Sequence, residues 1–161
     1  MGPGRRGVRI WVDADAAPRG VKEIVARAAA RLEIPACFVA NRRIETPPHN
    51  DWVTALRVDG GPDAADDHIV AHAAAGDLAV TADIPLAGRL VDAGVAVVDP
   101  RGTEYTAENV GERLSVRDFM EGLRGAGVET GGPSSFGEKE KRAFAATFDR
   151  ILTALHRQAE G

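Results

Sequence analysis

The sequence predicts an α/β fold, and three observations carry that prediction. Short apolar runs alternate with amphipathic stretches through residues 8–99. The runs are rich in valine and alanine and have strand length, while the stretches between them place apolar residues at helical spacing. Glycine, proline and aspartate mark most junctions, where turns and helix starts need them. Such β-α-β alternation implies parallel strands joined by right-handed crossovers, with helices on both faces of the sheet.

The elements follow in order. "VRIWV" over 8–12 reads as the first strand, and a helix over 18–32 follows, with Pro18 in its first turn. Val21, Ile24, Val25, Ala28 and Leu32 share one face of that helix. "ACFVA" over 36–40 is a second strand that ends at Asn41, and Pro47 and Pro48 make the next segment a loop. "TALRV" over 54–58 is a third strand, and the turn "DGGPDAADD" leads to a helix over 64–75. "LAVTA" is a fourth strand delivering Asp83, "IPLAGRLVDAG" a short helix ended by Gly94, and "VAVVD" a fifth strand. From about residue 101 the pattern changes to a loop and a helix over 116–124, with Ser115 and Asp118 spaced as a capping box. A "TGGP" turn and a final helix follow, whose Phe144, Phe148, Ile151, Leu152 and Leu155 form a stripe suited to docking on the domain.

Composition bounds the function. A chain of 161 residues with 44% hydrophobic residues is the size of one domain with one sizeable core. No apolar run is long enough to span a membrane and the first residues lack a secretory signal's apolar region, so the expectation is a soluble cytoplasmic protein. The lone Cys37 lies in an apolar run, reads as a buried thiol and has no disulfide partner within the chain. The net charge of -4 argues against bulk electrostatic binding of nucleic acid, though a local basic surface beside an acidic pocket is compatible with it.

The chemistry lies in the aspartates. Asp13 and Asp15 follow the first strand, Asp63, Asp66 and Asp67 open the middle helix, and Asp83 follows the fourth strand. If strands one and four are neighbours, a topological switch between them opens a crevice at their carboxyl ends. Asp13 and Asp15 would point the same way, about 6–7 Å apart in extended chain. Gathered carboxylates repel, and they either take up protons or recruit a cation. Oxygen ligands without cysteine favour Mg²⁺ or Mn²⁺ over zinc. Asp63 and Asp67, each at a helix start, read more simply as capping residues.

Other residues carry weaker signals. His68 and His72 have i,i+4 spacing but lack the glutamate of a zinc-protease motif, so a structural or solvent-facing pair is the plainer reading. Lys22, Arg101 and Arg117 are candidate phosphate contacts, as are Arg124 and Arg142 if they share a rim. The "TGGP" stretch, 130–133, could form an anion-binding nest, although a plain turn explains it as well.

The motifs "IWVDADAAP", "VAN", "GPDAADDHIV", "GDLAVTADIPLA", "PRG", "RDFM" and "TGGP", in this order, resemble the YaiI/YqxD family of uncharacterised bacterial proteins over about residues 8–152. That family usually has cysteine where this chain has Ala17, which excludes a catalytic thiol at this position. Its grouping with PIN-like domains implies a three-layer fold, a parallel five-stranded sheet in the order 3-2-1-4-5, and metal-dependent ribonuclease chemistry. The resemblance implies one domain over 8–152, with a core over about 8–100 and a helical extension over about 101–157. It also implies that Asp13, Asp66 and Asp83 are the strand-one, mid-chain and strand-four acids of that site. On this reading one or two Mg²⁺ or Mn²⁺ ions held by Asp13, Asp66 and Asp83 hydrolyse RNA, with Asp15 a further ligand or water-orienting group. Two rivals stand beside it. A haloacid-dehalogenase-like phosphatase would use Asp13 as nucleophile and Asp15 as general acid, but the threonine expected soon after that motif is missing. A catalytically silent module would bind RNA or a protein partner.

Overall fold

The computed structural model describes residues 7–125 and 136–160, apart from the side chains of 62, 117, 118 and 121–125. In chain order the elements are β1 (Ile10–Asp13), α1 (Arg19–Leu32), β2 (Ala36–Ala40), β3 (Val53–Arg57), α2 (Pro62–His72) and β4 (Leu78–Val80). Next come α3 (Ile84–Asp92), β5 (Ala96–Val98), β6 (Glu104–Tyr105), α4 (Ala107–Gly125) and α5 (Glu138–Glu160).

The strands form one mixed sheet in the order β3-β2-β1-β4-β5-β6. Neighbours among β1 to β5 run parallel, and β6 runs antiparallel to β5. The first five strands therefore take the expected order, but the purely parallel five-stranded sheet is replaced by a six-stranded one. The added strand comes from the part expected to be a helical extension. Asp99 reverses the chain there: its Oδ1 accepts from the Arg101 and Thr103 N–H groups at 2.9 Å each, and its own N–H donates to the Thr103 carbonyl at 2.9 Å. A strand of two residues is too short for periodicity to reveal.

Side chains alternate across the sheet as the pleat requires. Ile10, Val12 and Phe38 face Val21, Val25 and Ala28 of α1 and Phe144, Phe148 and Leu152 of α5. Trp11, Val39, Ala79 and Val97 face Ala65 and Ile69 of α2, Leu86 and Leu90 of α3, and Val110 of α4. The final helix docks as its stripe predicts. It crosses so close to the β5–β6 reversal that a Cβ on Gly102, whose φ is +92°, would stand 2.6 Å from the Ala143 carbonyl oxygen. Among the described residues no helix is long and apolar enough to cross a membrane.

Several boundaries move. Pro18 is the N-cap of α1 rather than its first residue, α2 starts earlier at Pro62, and β4 ends at Val80. The helix expected over 116–124 begins at Ala107. Its box is Thr106 and Asn109, whose side chains accept each other's backbone N–H groups at 3.2 and 2.8 Å. Ser115 lies inside the helix, where its hydroxyl donates to the Gly111 carbonyl at 3.2 Å, so it caps nothing. Gly111 made that first part look like loop. Cys37 is half-buried rather than fully enclosed, and burial pushes its thiol up, partly offset by a hydrogen bond with Thr54.

Candidate active site at the carboxyl edge of the sheet

Pairing of β1 with β4, Val12 opposite Val80, brings the chain segments after both strands together. Asp13, the last residue of β1, is buried. Its Oδ2 accepts the buried Thr81 hydroxyl at 2.9 Å, and the same hydroxyl oxygen accepts the Asp83 N–H at 3.0 Å. Asp83 is the N-cap of α3, with Oδ1 accepting the Leu86 N–H at 2.9 Å. A chain of hydrogen bonds thus ties the end of β1 to the start of α3. In both aspartates one oxygen holds the fold, and the other takes no hydrogen bond among the described residues.

Asp66 joins them from α2. Burial of this half-buried carboxyl pushes it up to about 6, and the charges of Asp83, Asp13 and Asp63 push the same way against Arg89. Burial likewise raises Asp13; the Thr81 hydroxyl opposes this, and the charges of Asp83 and Asp15 add to it. Asp13 and Asp66 thus each lie in the field of Asp83, and Asp66 in that of Asp13 as well, an arrangement of like charges that favours taking up a proton or a cation. Their donor chemistry is all carboxylate oxygen, suited to a hard divalent ion. Among the described residues, however, no three histidine, cysteine, aspartate or glutamate side chains converge closely enough to hold an ion.

Asp15 stands at the border of a second environment. Its Oδ2 accepts the Asn41 N–H at 2.8 Å, and its Oδ1 lies 3.4 Å from the Arg42 Nε. Asn41, just past β2, keeps a buried side-chain oxygen without a hydrogen-bond partner. Next to this pair opens a cleft of about 580 Å³ between the start of α1 and the 41–48 loop, lined by Arg19, Lys22, Arg42 and Arg43 together with Glu23 and Glu45. Burial pushes the Lys22 amine down, Arg42 pushes it further, and Asp15 opposes both. Lys22, expected from the sequence as a phosphate contact, thus lies in the cleft, whereas the other three cations escaped the sequence reading.

The remaining candidates separate from this edge. Asp67 pairs with Arg89 at 2.9 Å on the surface. The His68 and His72 rings stack at 4.0 Å beside Trp11, an arrangement of packing. Arg101 lies 3.8 Å from Glu140 of α5. Arg142 is exposed on α5, while the side chains of Arg117 and Arg124 and the whole 130–133 turn lie outside the described residues. The sequence reading also passed over Thr81, although its place two residues before Asp83 in "TAD" was on view.

A family model described as the uncharacterized YaiI/YqxD family matches residues 11–154. The chain belongs to this family. Among its relatives, the UPF0178 protein of Syntrophobacter fumaroxidans is 53% identical over 146 residues, covering 91% of this chain and 95% of the relative. The UPF0178 protein of Trichlorobacter lovleyi is 50% identical over 151 residues, covering 94% and 97%. That of Xanthomonas oryzae pv. oryzae is 54% identical over 151 residues, covering 92% of each. No solved structure matches the chain. The family match over 11–154 takes in Asp13, Asp66 and Asp83.

Proposed function

We propose that this family member is a PIN-like, metal-dependent nuclease that hydrolyses RNA phosphodiester bonds at the carboxyl edge of β1 and β4. The observation that carries the reading is the grouping of three acids from separate elements: Asp13 and the Asp83 N–H share the Thr81 hydroxyl, and the charges of Asp83 and Asp13 both act on Asp66. The order of the five parallel strands supports it, because that order creates the switch point beside β1 where ligands bind in open α/β sheets.

Asp13, Asp66 and Asp83 would hold one or two Mg²⁺ or Mn²⁺ ions, with Asp15 as a further ligand or a group orienting water. A bound ion of this kind offsets the carboxylate charge and makes water a stronger nucleophile. The chain's own contribution is placement. Thr81 holds Asp13 through one oxygen, and Leu86 holds Asp83 through one oxygen, which leaves each acid an oxygen for ligation without breaking its structural bond. Asp66 would contribute from α2, where it is half-buried and feels the charges of both other acids.

Asp83→Asn tests the reading. Asparagine caps a helix about as well as aspartate, so the variant should stay folded. It should bind Mn²⁺ at least tenfold more weakly by calorimetry and lose most metal-dependent cleavage across a panel of single-stranded and structured RNAs. Wild-type protein that neither binds Mn²⁺ nor cuts any RNA would overturn the proposal. Mn²⁺ binding and RNA binding without cutting would favour a silent binding module, and equal cleavage by both proteins would place the activity elsewhere.

A further inference from the structure

We infer that the cleft between the start of α1 and the 41–48 loop is the path by which a single-stranded RNA backbone reaches the acid cluster. The cleft's relation to cleavage rests on the nuclease reading, but its capacity to bind a strand stands on separate observations. The whole chain has a net charge of -4, yet four cations and only two carboxylates line this one concavity. Arg19 and Arg43 form no ion pair among the described residues, so their guanidinium groups are available to an anion. Arg42 spans the junction: it lines the cleft and also approaches Asp15, whose charge in turn acts on Asp13. A phosphodiester chain lying on these residues would therefore pass directly from cations to carboxylates.

The shape selects among phosphate-bearing ligands. A concavity of about 580 Å³ admits a few nucleotides of an extended strand. A duplex instead presents a broad, stiff surface that is read across its shallow groove. Ile44 and Pro47 give the cleft an apolar wall against which sugars and bases can lie, while the arginines offer planar, bidentate contacts to phosphate oxygens. Single-strand binders commonly run a positively charged groove along the phosphate backbone, as these cations do.

The test is fluorescence anisotropy of a labelled single-stranded oligoribonucleotide with the full chain in EDTA, over a series of salt concentrations. The proteins are wild type, Arg19→Ala/Arg43→Ala, and Arg27→Ala/Arg157→Ala. The last pair removes the same charge from exposed positions that do not line the cleft. Each lost phosphate contact on a single strand reduces the salt slope by about 0.7, so the cleft variant should lose about 1.4 while the control keeps the wild-type slope. Asp83→Asn should bind as tightly as wild type or more so, since it removes a negative charge and leaves the cleft intact. An equal fall in slope for both double variants, or none for the cleft variant, would overturn the inference. So would competition by a mononucleotide as effective as by the oligonucleotide, which would make the cleft a small-molecule site. Cleavage absent with cleft-dependent binding retained would sink the nuclease reading alone, and cleavage present with binding indifferent to Arg19 and Arg43 would sink the path alone.

Discussion

β1 and β4 lie side by side, and each end of that pair holds a buried aspartate: Asp77 just before β4, and Asp13 at the end of β1. Asp77 accepts from the Arg9 N–H at 3.1 Å, the Trp11 Nε1–H at 3.1 Å and the Ala74 N–H at 3.0 Å. It ties the start of β1, a core indole and the turn after α2 into one knot. Asp13 has one hydroxyl donor, from Thr81, and faces the charges of Asp83 and Asp15. Burial is similar at the two ends, but donors surround one carboxylate and other acids surround the second. An acid compensated by N–H groups builds the fold, whereas an acid left among like charges stores repulsion that a ligand can relieve.

The contrast breaks most visibly at the structural end. Asp77→Ala leaves three donors, two of them backbone N–H groups, without their acceptor. An unsatisfied buried donor costs about 1–3 kcal/mol, and since the Trp11 bond is buried while the two backbone bonds are part-buried, the expected loss is about 2–3 kcal/mol, read as a lower midpoint in urea with unchanged slope. That is a large share of the roughly 5–15 kcal/mol typical of a domain. Asp77→Asn, which keeps one carbonyl acceptor, should fall between. A loss no greater than that of an exposed aspartate such as Asp92 would show that the knot is not a stability element.

At the functional end the expected effect is smaller in stability and larger in chemistry. Thr81→Val preserves shape but removes both the donor to Asp13 and the acceptor of the Asp83 N–H. It should cost about 1–2 kcal/mol, and it should raise the Asp13 carboxyl further, because the hydroxyl is the influence that lowers it. Thr81→Ser retains both bonds and should behave as wild type in a carboxyl-carbon NMR titration. A Valine variant with an unmoved Asp13 titration would mean that the hydroxyl only fills space.

Much of this edge was legible in the sequence. The β-α-β alternation and the family motifs led to the order of the first five strands, and that order sets the chain segments carrying Asp13 and Asp83 side by side. Asp77 was not legible: in "AAAGDLAV" it reads as an ordinary turn residue, and its value depends on Trp11 and Arg9, far away in sequence. The cleft stayed hidden for a related reason. Arg42 and Arg43 sit in a proline-containing loop without periodicity, and only the parallel pairing of β1 with β2 sets that loop beside the start of α1. β6 needed the Asp99 reversal, whose hydrogen bonds leave no pattern longer than two residues. Sequence periodicity reports elements and their ends well, but loop contacts between distant segments have no period to read.

The smallest effect is the most specific to the acid cluster. The Asp66 carboxyl is pushed up to about 6 from an ordinary value of 3.8. Between those pH values the folded chain binds a proton that the unfolded chain has released. Raising the pH through this window therefore lowers the stability of the metal-free protein, and above about 6 the effect levels off. Asp66 is only half-buried, so after solvent screening the change should be no more than about 1 kcal/mol. Asp66→Asn removes this contribution, while the raised Asp13 leaves a residual slope of the same sign. The measurement is the difference in unfolding free energy between wild type and Asp66→Asn in EDTA, followed from acid to neutral pH. It should grow in favour of the variant up to about pH 6 and then stay constant. A flat difference would mean that Asp66 titrates like a solvated carboxylate, and the cluster would lose the member that links α2 to the two strand ends. A difference that vanishes when Mn²⁺ is added would instead show the ion doing at neutral pH what the proton does in acid, relieving the same repulsion at the same carboxyl.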